Sequence, residues 1–179
     1  VKRRARSRAE AGAVATRRGF DFERWIVKHI FAPAIKGGLF QRVDRQHPSM
    51  APAGFAAGKV PLYVMAQKSG ADWIALVCAS ARCSCAYVAL EAKSVDGDSL
   101  GLSGIADHQI EHLNDAALQR QGSILLVYFS ASAAGYAIPW ARAPWTTTAR
   151  GSSIRKDSLP DAWRLGGWTV LKELLCQPT

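Results

Sequence analysis

Glu91 and Lys93 stand two residues apart in the run 86–93, in which Val88, Leu90 and Ala92 read as the apolar face of a strand. Side chains at alternate strand positions share a face, so the carboxylate and the amine emerge together at the end of an otherwise buried strand. Glu and Lys are rarely buried without a partner or a task. For this triplet alone, an exposed strand end with a weak ion pair is the plainer reading. Asp72 changes the balance. It opens the segment 73–78, which forms an antiparallel hairpin with 86–93 if the short stretch 80–84 makes the turn, and that pairing carries Asp72 to Glu91. Two adjacent carboxylates repel strongly in a partly desolvated site unless a cation lies between them. Mg²⁺ prefers such hard oxygen ligands and keeps water on its remaining positions. Lys93 would then stabilise charge at an attacked phosphate or hold a water-derived nucleophile.

Two further residues bear on that chemistry. On a helix over 105–121, Ile105, Gln109, Leu113 and Ala116 share the face that covers the sheet. A glutamine in an apolar stripe needs hydrogen-bond partners, and here it could orient a metal-bound water or a phosphate oxygen. Glu23 shares a helical stripe with Ile26, Val27 and Ile30 over 20–31, either wet at the end of the apolar face or aimed into a cleft. His108 and His112 form an i, i+4 pair on a different face from Gln109, without the glutamate of a zinc hydrolase helix. For His112 a surface phosphate contact or plain solvent exposure is expected. No serine sits in a glycine-bracketed nucleophile elbow, and neither a P-loop nor a dinucleotide fingerprint is present. Cys78, Cys83 and Cys85 supply three sulfurs with no nearby fourth ligand, so they and Cys176 read as free thiols in a reducing cytoplasm.

The elements that must position these residues follow from punctuation and periodicity. The helix 20–31 closes at Pro33, Gly37 and Gly38. The stretch 41–60, broken by Pro48, Pro52, Gly54 and Gly58, reads as an extended or mobile basic loop. Strands are predicted at 73–78, 86–93, 123–130 and 135–139, with 60–66 a strand or short helix and a last helix at 168–175. Helix, strand hairpin, helix, strand is the order of an α/β domain with a mixed central sheet flanked by helices.

Charge is distributed unevenly over the 179 residues. Residues 1–59 hold 13 basic and 4 acidic side chains, whereas 60–179 hold 10 of each, so the net +9 belongs to the first third. A polyanionic partner, nucleic acid before anionic membrane, is the natural reading. Residues 1–18 read as a flexible basic arm: Lys2, Arg3, Arg4, Arg6 and Arg8 cluster too closely to pack, and Arg17 and Arg18 follow. Together with Arg42, Arg45 and Lys59 in the loop, they are the expected phosphate contacts. Residues 19–179 form the expected folded domain. No apolar run is long enough to span a membrane, and the N-terminus lacks the apolar centre of a signal peptide.

With these residues in view, the chain resembles the RecU-type Holliday junction resolvases of the PD-(D/E)XK nuclease superfamily over about residues 17–132. Arg18-Gly19-Phe20-Asp21-Phe22-Glu23 is similar to that family's first-helix motif, and Gly70-Ala71-Asp72-Trp73 to the segment carrying its metal-binding aspartate. Leu90-Glu91-Ala92-Lys93 matches its glutamate-X-lysine core, and the run from Ile105 to Leu113 its histidine-glutamine helix. The resemblance implies a restriction-endonuclease-like core and Mg²⁺, with Mn²⁺ able to replace it, held by Asp72, Glu91 and the backbone carbonyl of Ala92. It implies that Lys93 assists the attacking water and that Glu23 and Gln109 support the ligands. It further implies a homodimer that cuts four-way DNA junctions, leaves 5′-phosphate and 3′-hydroxyl ends, and projects a stalk from the region of 41–60. A restriction or repair endonuclease of the same superfamily, or a non-catalytic DNA-binding protein, are the other readings. The aromatic residues do not alternate with basic ones as an RNA-stacking platform requires.

Overall fold

The computed structural model describes residues 8–46, 49–56, 60–67, 71–81, 83–148 and 151–176. Helix α1 (Arg8–Ile26) continues through a π-helical turn (Val27–Phe31) into the short helix α2 (Ala32–Lys36). Phe22, Ile26, Ile30, Phe31 and Ala34 form its buried stripe. The helix thus begins about a dozen residues before the expected start. Residues 8–18, expected as part of a flexible arm, are helical because this alanine-rich stretch has high helix propensity and extends a helix already anchored by its apolar face. Lys2, Arg3, Arg4 and Arg6 lie outside the described residues. Pro33 does not end the helix. It sits in the first turn of α2, where bonding changes from the π pattern to the α pattern and a missing N–H costs little. The stop comes at Gly37 and Gly38, the latter at φ 74°.

Strands β1 (Phe40–Arg45) and β2 (Ser49–Ala56) occupy the stretch expected to be a loop, whereas β3 (Val60–Gln67) takes the strand alternative expected for 60–66. β1 joins the main sheet, and β2 and β3 pair as a two-stranded antiparallel sheet of their own. The proline and glycine that argued against strands stand where the β2–β3 register shifts, between Pro52 and Gly54, so they mark an irregularity within a hairpin. Lys59 lies outside the described residues.

The remaining elements are β4 (Trp73–Val77), β5 (Tyr87–Val95), β6 (Ser99–Gly101), α3 (Asp107–Leu118), β7 (Gly122–Phe129), β8 (Ala134–Pro139), β9 (Thr146–Thr148), β10 (Gly151–Arg155) and α4 (Thr169–Leu175). The main sheet has the order β1-β4-β5-β7-β8, with β5 and β7 parallel and all other neighbours antiparallel. A smaller sheet has the order β6-β10-β9. The fold is therefore α/β with a mixed central sheet flanked by helices, as expected.

Strand alternation divides the core into two layers. Trp73, Ala75, Val88, Leu90, Ile124 and Leu126 face α1, α2 and α4. Ala89, Leu125, Val127, Phe129 and Ile138 face α3, through Leu113 and Ala116, and the small sheet, through Ile154. β7 is buried almost throughout, as befits a strand covered on both faces. The cysteines depart from expectation. Cys83, beside the β4–β5 connection, is disulfide-bonded to Cys176 after α4, leaving Cys78 and Cys85 as free thiols. A sequence separation of 93 residues conceals a pairing that forms because α4 packs on the same layer as that connection.

Candidate active site

The β4–β5 register sets Trp73 opposite Leu90, and one step further sets Asp72 opposite Glu91. Each carboxylate accepts a backbone N–H from the other's side of the hairpin. The Asp72 N–H donates to Glu91 Oε2 at 3.2 Å, and the Ala92 N–H donates to Asp72 Oδ2 at 2.8 Å. The pair expected from a hairpin is thus held by reciprocal hydrogen bonds across it.

Lys93 lies on the same face of β5 as Glu91, and α3 covers that face with Gln109. Lys93 Nζ stands 2.7 Å from Glu91 Oε1 and donates to Gln109 Oε1 at 3.0 Å, while Gln109 Nε2 donates to Glu91 Oε1 at 2.6 Å. Gln109 Oε1 also accepts from the Ala106 N–H at 3.1 Å. That bond satisfies an otherwise unpaired donor at the start of α3 and fixes which end of the amide meets the carboxylate. Gln109 is therefore held from its own helix as well as from the sheet.

Glu91 is fully buried, and its carboxyl is pushed up to about 7. Burial is the main cause, the negative charge of Asp72 adds to it, and Lys93 opposes both. Glu23 is placed by α1 within the field of Asp72 and Lys93. Burial raises its carboxyl too, against the lowering effect of Arg45, whose Nη2 lies 2.5 Å from Glu23 Oε2. Glu23 and Arg45 line a cleft of about 520 Å³ with Trp73, Phe20, Val27 and Ile35. Of the two alternatives for Glu23, the cleft is the one observed.

Among the described residues, no group of three or more His, Cys, Asp or Glu side chains is placed to hold a metal ion. The donor set offered by Asp72 and Glu91 is two hard carboxylates. It suits a cation that retains most of its water and suits poorly one that requires a full protein cage. Burial is the main reason the Glu91 carboxyl is raised, and the charge of Asp72 adds to it; a divalent ion between the two carboxylates would oppose both effects.

The expected phosphate contacts divide differently. Arg17 is exposed on α1. Arg18 is engaged by Asp96 and by Ser130 Oγ, Arg42 pairs with Asp44 at 2.9 Å, and Arg45 is drawn into the site by Glu23. Arg8 begins α1. His112 also departs from its expected exposure: it is half-buried, with Nε2 enclosed and unpartnered. The residue that sequence reasoning did not connect with the site is Arg45. Its link to Glu23 depends on β1 pairing with β4, which a reading of 41–60 as loop could not supply.

A nuclease-like carboxylate-lysine centre on a mixed α/β sheet is the class that this geometry defines. The family model RecU, Recombination protein U, matches residues 59–163, which include Asp72, Glu91, Lys93 and Gln109. The chain belongs to the RecU family. Among solved structures it is similar to the 1.6 Å structure of Hjc, a Holliday junction resolvase from the archaeal hyperthermophile Archaeoglobus fulgidus. The identity is 16%, the TM-score 0.48, and the match covers 87% of this chain and 99% of that one. No curated protein matches the chain. No described helix is long and apolar enough to cross a membrane.

Proposed function

We propose that this protein is a Mg²⁺-dependent endonuclease that resolves four-way DNA junctions. The observation that carries the reading is the convergence of Asp72, Glu91, Lys93 and Gln109 where the start of β4 meets the middle of β5, and membership of the RecU family supports it. When bound, a divalent cation at Asp72 and Glu91, with Ala92 contributing its carbonyl, supplies Lewis-acid stabilisation of the charge that develops on the phosphate. Mn²⁺ would serve in its place.

The chain's own residues do the rest. Asp72 and Glu91 would provide the negative charge that recruits the ion, and the two N–H hydrogen bonds between their strands hold the carboxylates in place in advance. Lys93 places an amine where an attacking water or a non-bridging phosphate oxygen would lie. Gln109 keeps that amine and the Glu91 carboxylate in fixed relation, because it bonds to both. Glu23 adds a third carboxylate from the facing helix, oriented by Arg45. Attack by water on phosphorus with the 3′ oxygen departing leaves a 5′ phosphate and a 3′ hydroxyl. Symmetric cutting of a junction needs two such sites, which a homodimer provides.

The test is gel analysis of an immobile four-way junction with Mg²⁺ and with EDTA, beside a linear duplex of the same sequence. Paired nicks on the junction, dependent on the metal, are expected. Equal cutting of the duplex would make the protein a general DNA endonuclease, and binding without cutting in either buffer would leave only a DNA-binding protein.

A further inference from the structure

We propose that Arg45 is a positioning residue of the candidate site and not a phosphate contact; the assignment rests on the nuclease reading above and deepens it. An arginine in a basic stretch reads as a partner for DNA, and this side chain is about half exposed, but its guanidinium is engaged by two groups of the protein itself. Nη2 lies 2.5 Å from Glu23 Oε2, and Cζ stands 5.9 Å from the centre of the Trp73 ring. The backbone is fixed as well. Arg45 lies opposite Trp73 in the β1–β4 pairing, and the next residue, Gln46, donates its N–H to the Asp72 carbonyl at 2.8 Å. One side chain thus joins α1, β1 and the start of β4, immediately beside the acidic pair.

The chemistry explains why the site needs such a joint. Glu23 belongs to a different element from Asp72 and is repelled by its charge. Without a cation of its own, its carboxylate would swing outward to water or take up a proton. Arg45 is suited to prevent this because a planar guanidinium can stack on an indole and pair with a carboxylate at the same time. A lysine ammonium is a point charge and supplies only the second contact.

The experiment compares wild type with R45M, R45K, E23Q and the double variant E23Q/R45M. Junction affinity and its salt dependence are measured in EDTA, and the single-turnover cutting rate at saturating protein with Mg²⁺. Circular dichroism melting identifies the folded variants, and R45K carries the test if R45M does not fold. R45M is expected to bind the junction with unchanged affinity and salt slope but to cut about 10- to 100-fold more slowly. R45K should recover part of the rate, and the double variant should be no slower than E23Q alone, since Arg45 acts through Glu23. Weaker binding with a salt slope reduced by about 1 and an intact saturating rate would overturn the proposal, because that is the signature of a phosphate contact. A double variant slower than E23Q by the full R45M factor would overturn it too. A wild type that binds without cutting removes the nuclease reading and this role together, whereas a wild type and an R45M that cut alike remove only the role of Arg45.

Discussion

At position 91 a carboxyl group is enclosed by protein, faces the charge of Asp72, and has one ammonium and one amide to compensate it. Its titration near 7, against an ordinary value of 4.5, makes a signed statement about stability. Between these values the folded chain holds a proton that the unfolded chain has lost. In the metal-free protein, stability from this group is therefore full below about 4.5 and falls as pH rises toward 7. E91Q mimics the protonated form. At pH 8 in EDTA it should melt above wild type, by an amount reflecting on the order of 1–3 kcal/mol, with the lost Lys93 pairing taking back part of the gain. Melting curves at pH 5 and pH 8 check this: the difference between variant and wild type should shrink at the lower pH. A variant less stable at pH 8 would mean that Lys93 outweighs burial and repulsion combined. With Mg²⁺ present, E91Q and D72N should each retain junction binding and lose cutting by at least about 10²-fold. Loss of binding and fold together would show that the carboxylates are structural.

Among the elements, the β5–β7 parallel pair bears the most weight, since it carries Glu91 and Lys93 on a strand covered from both sides. Gly122 opens β7 opposite Val88, and a Cβ there would come within 2.8 Å of Val88 Cγ2 and 2.9 Å of Leu175 Cδ2. G122A should therefore destabilise the protein by about 1–3 kcal/mol, with V88A in the same chain recovering part of the loss. Urea titration of the two single variants and the double variant measures that recovery. Full additivity would mean that the strain does not fall on Val88.

How far these elements could be read in advance depended on whether their signal was local. β4, β5, β7 and α3 declare themselves by alternation or by a buried helical stripe, and the resemblance to the RecU-type enzymes joined the site residues they carry. β1 and β2 did not, and β3 was legible only as a strand or a short helix. Pro52 and Gly54 break a local strand pattern, yet cross-strand pairing absorbs them at a shift in register. The Cys83–Cys176 link and the Arg45–Glu23 pair were hidden for a different reason. Each depends on which distant elements pack together, and neither partner carries a local mark of the other.

For the whole molecule, the decisive property is where the unneutralised cations are. The net +9 resides in residues 1–59, but within the described part of that region Arg18, Arg42 and Arg45 each have an acidic partner. Exposed pairs such as Arg42–Asp44 are weak and a phosphate could displace them, at the cost of releasing the carboxylate. The first acid after Lys2, Arg3, Arg4 and Arg6 in the sequence is Glu10. If these four supply phosphate contacts, deleting residues 1–7 should weaken junction binding and flatten the plot of log affinity against log salt by as much as about 3.6. The site is built from residues beyond position 20, so the single-turnover cutting rate at saturating protein should be unchanged. If these four cations add only charge, linear duplex should lose affinity by the same factor and the junction-to-duplex ratio should hold. Titrations of both DNAs at several salt concentrations, with wild type and the deletion, separate the possibilities. An unchanged slope would make the N-terminal cations bystanders. A fall in the junction-to-duplex ratio would give them a part in selecting branched DNA, which a purely electrostatic tether does not have.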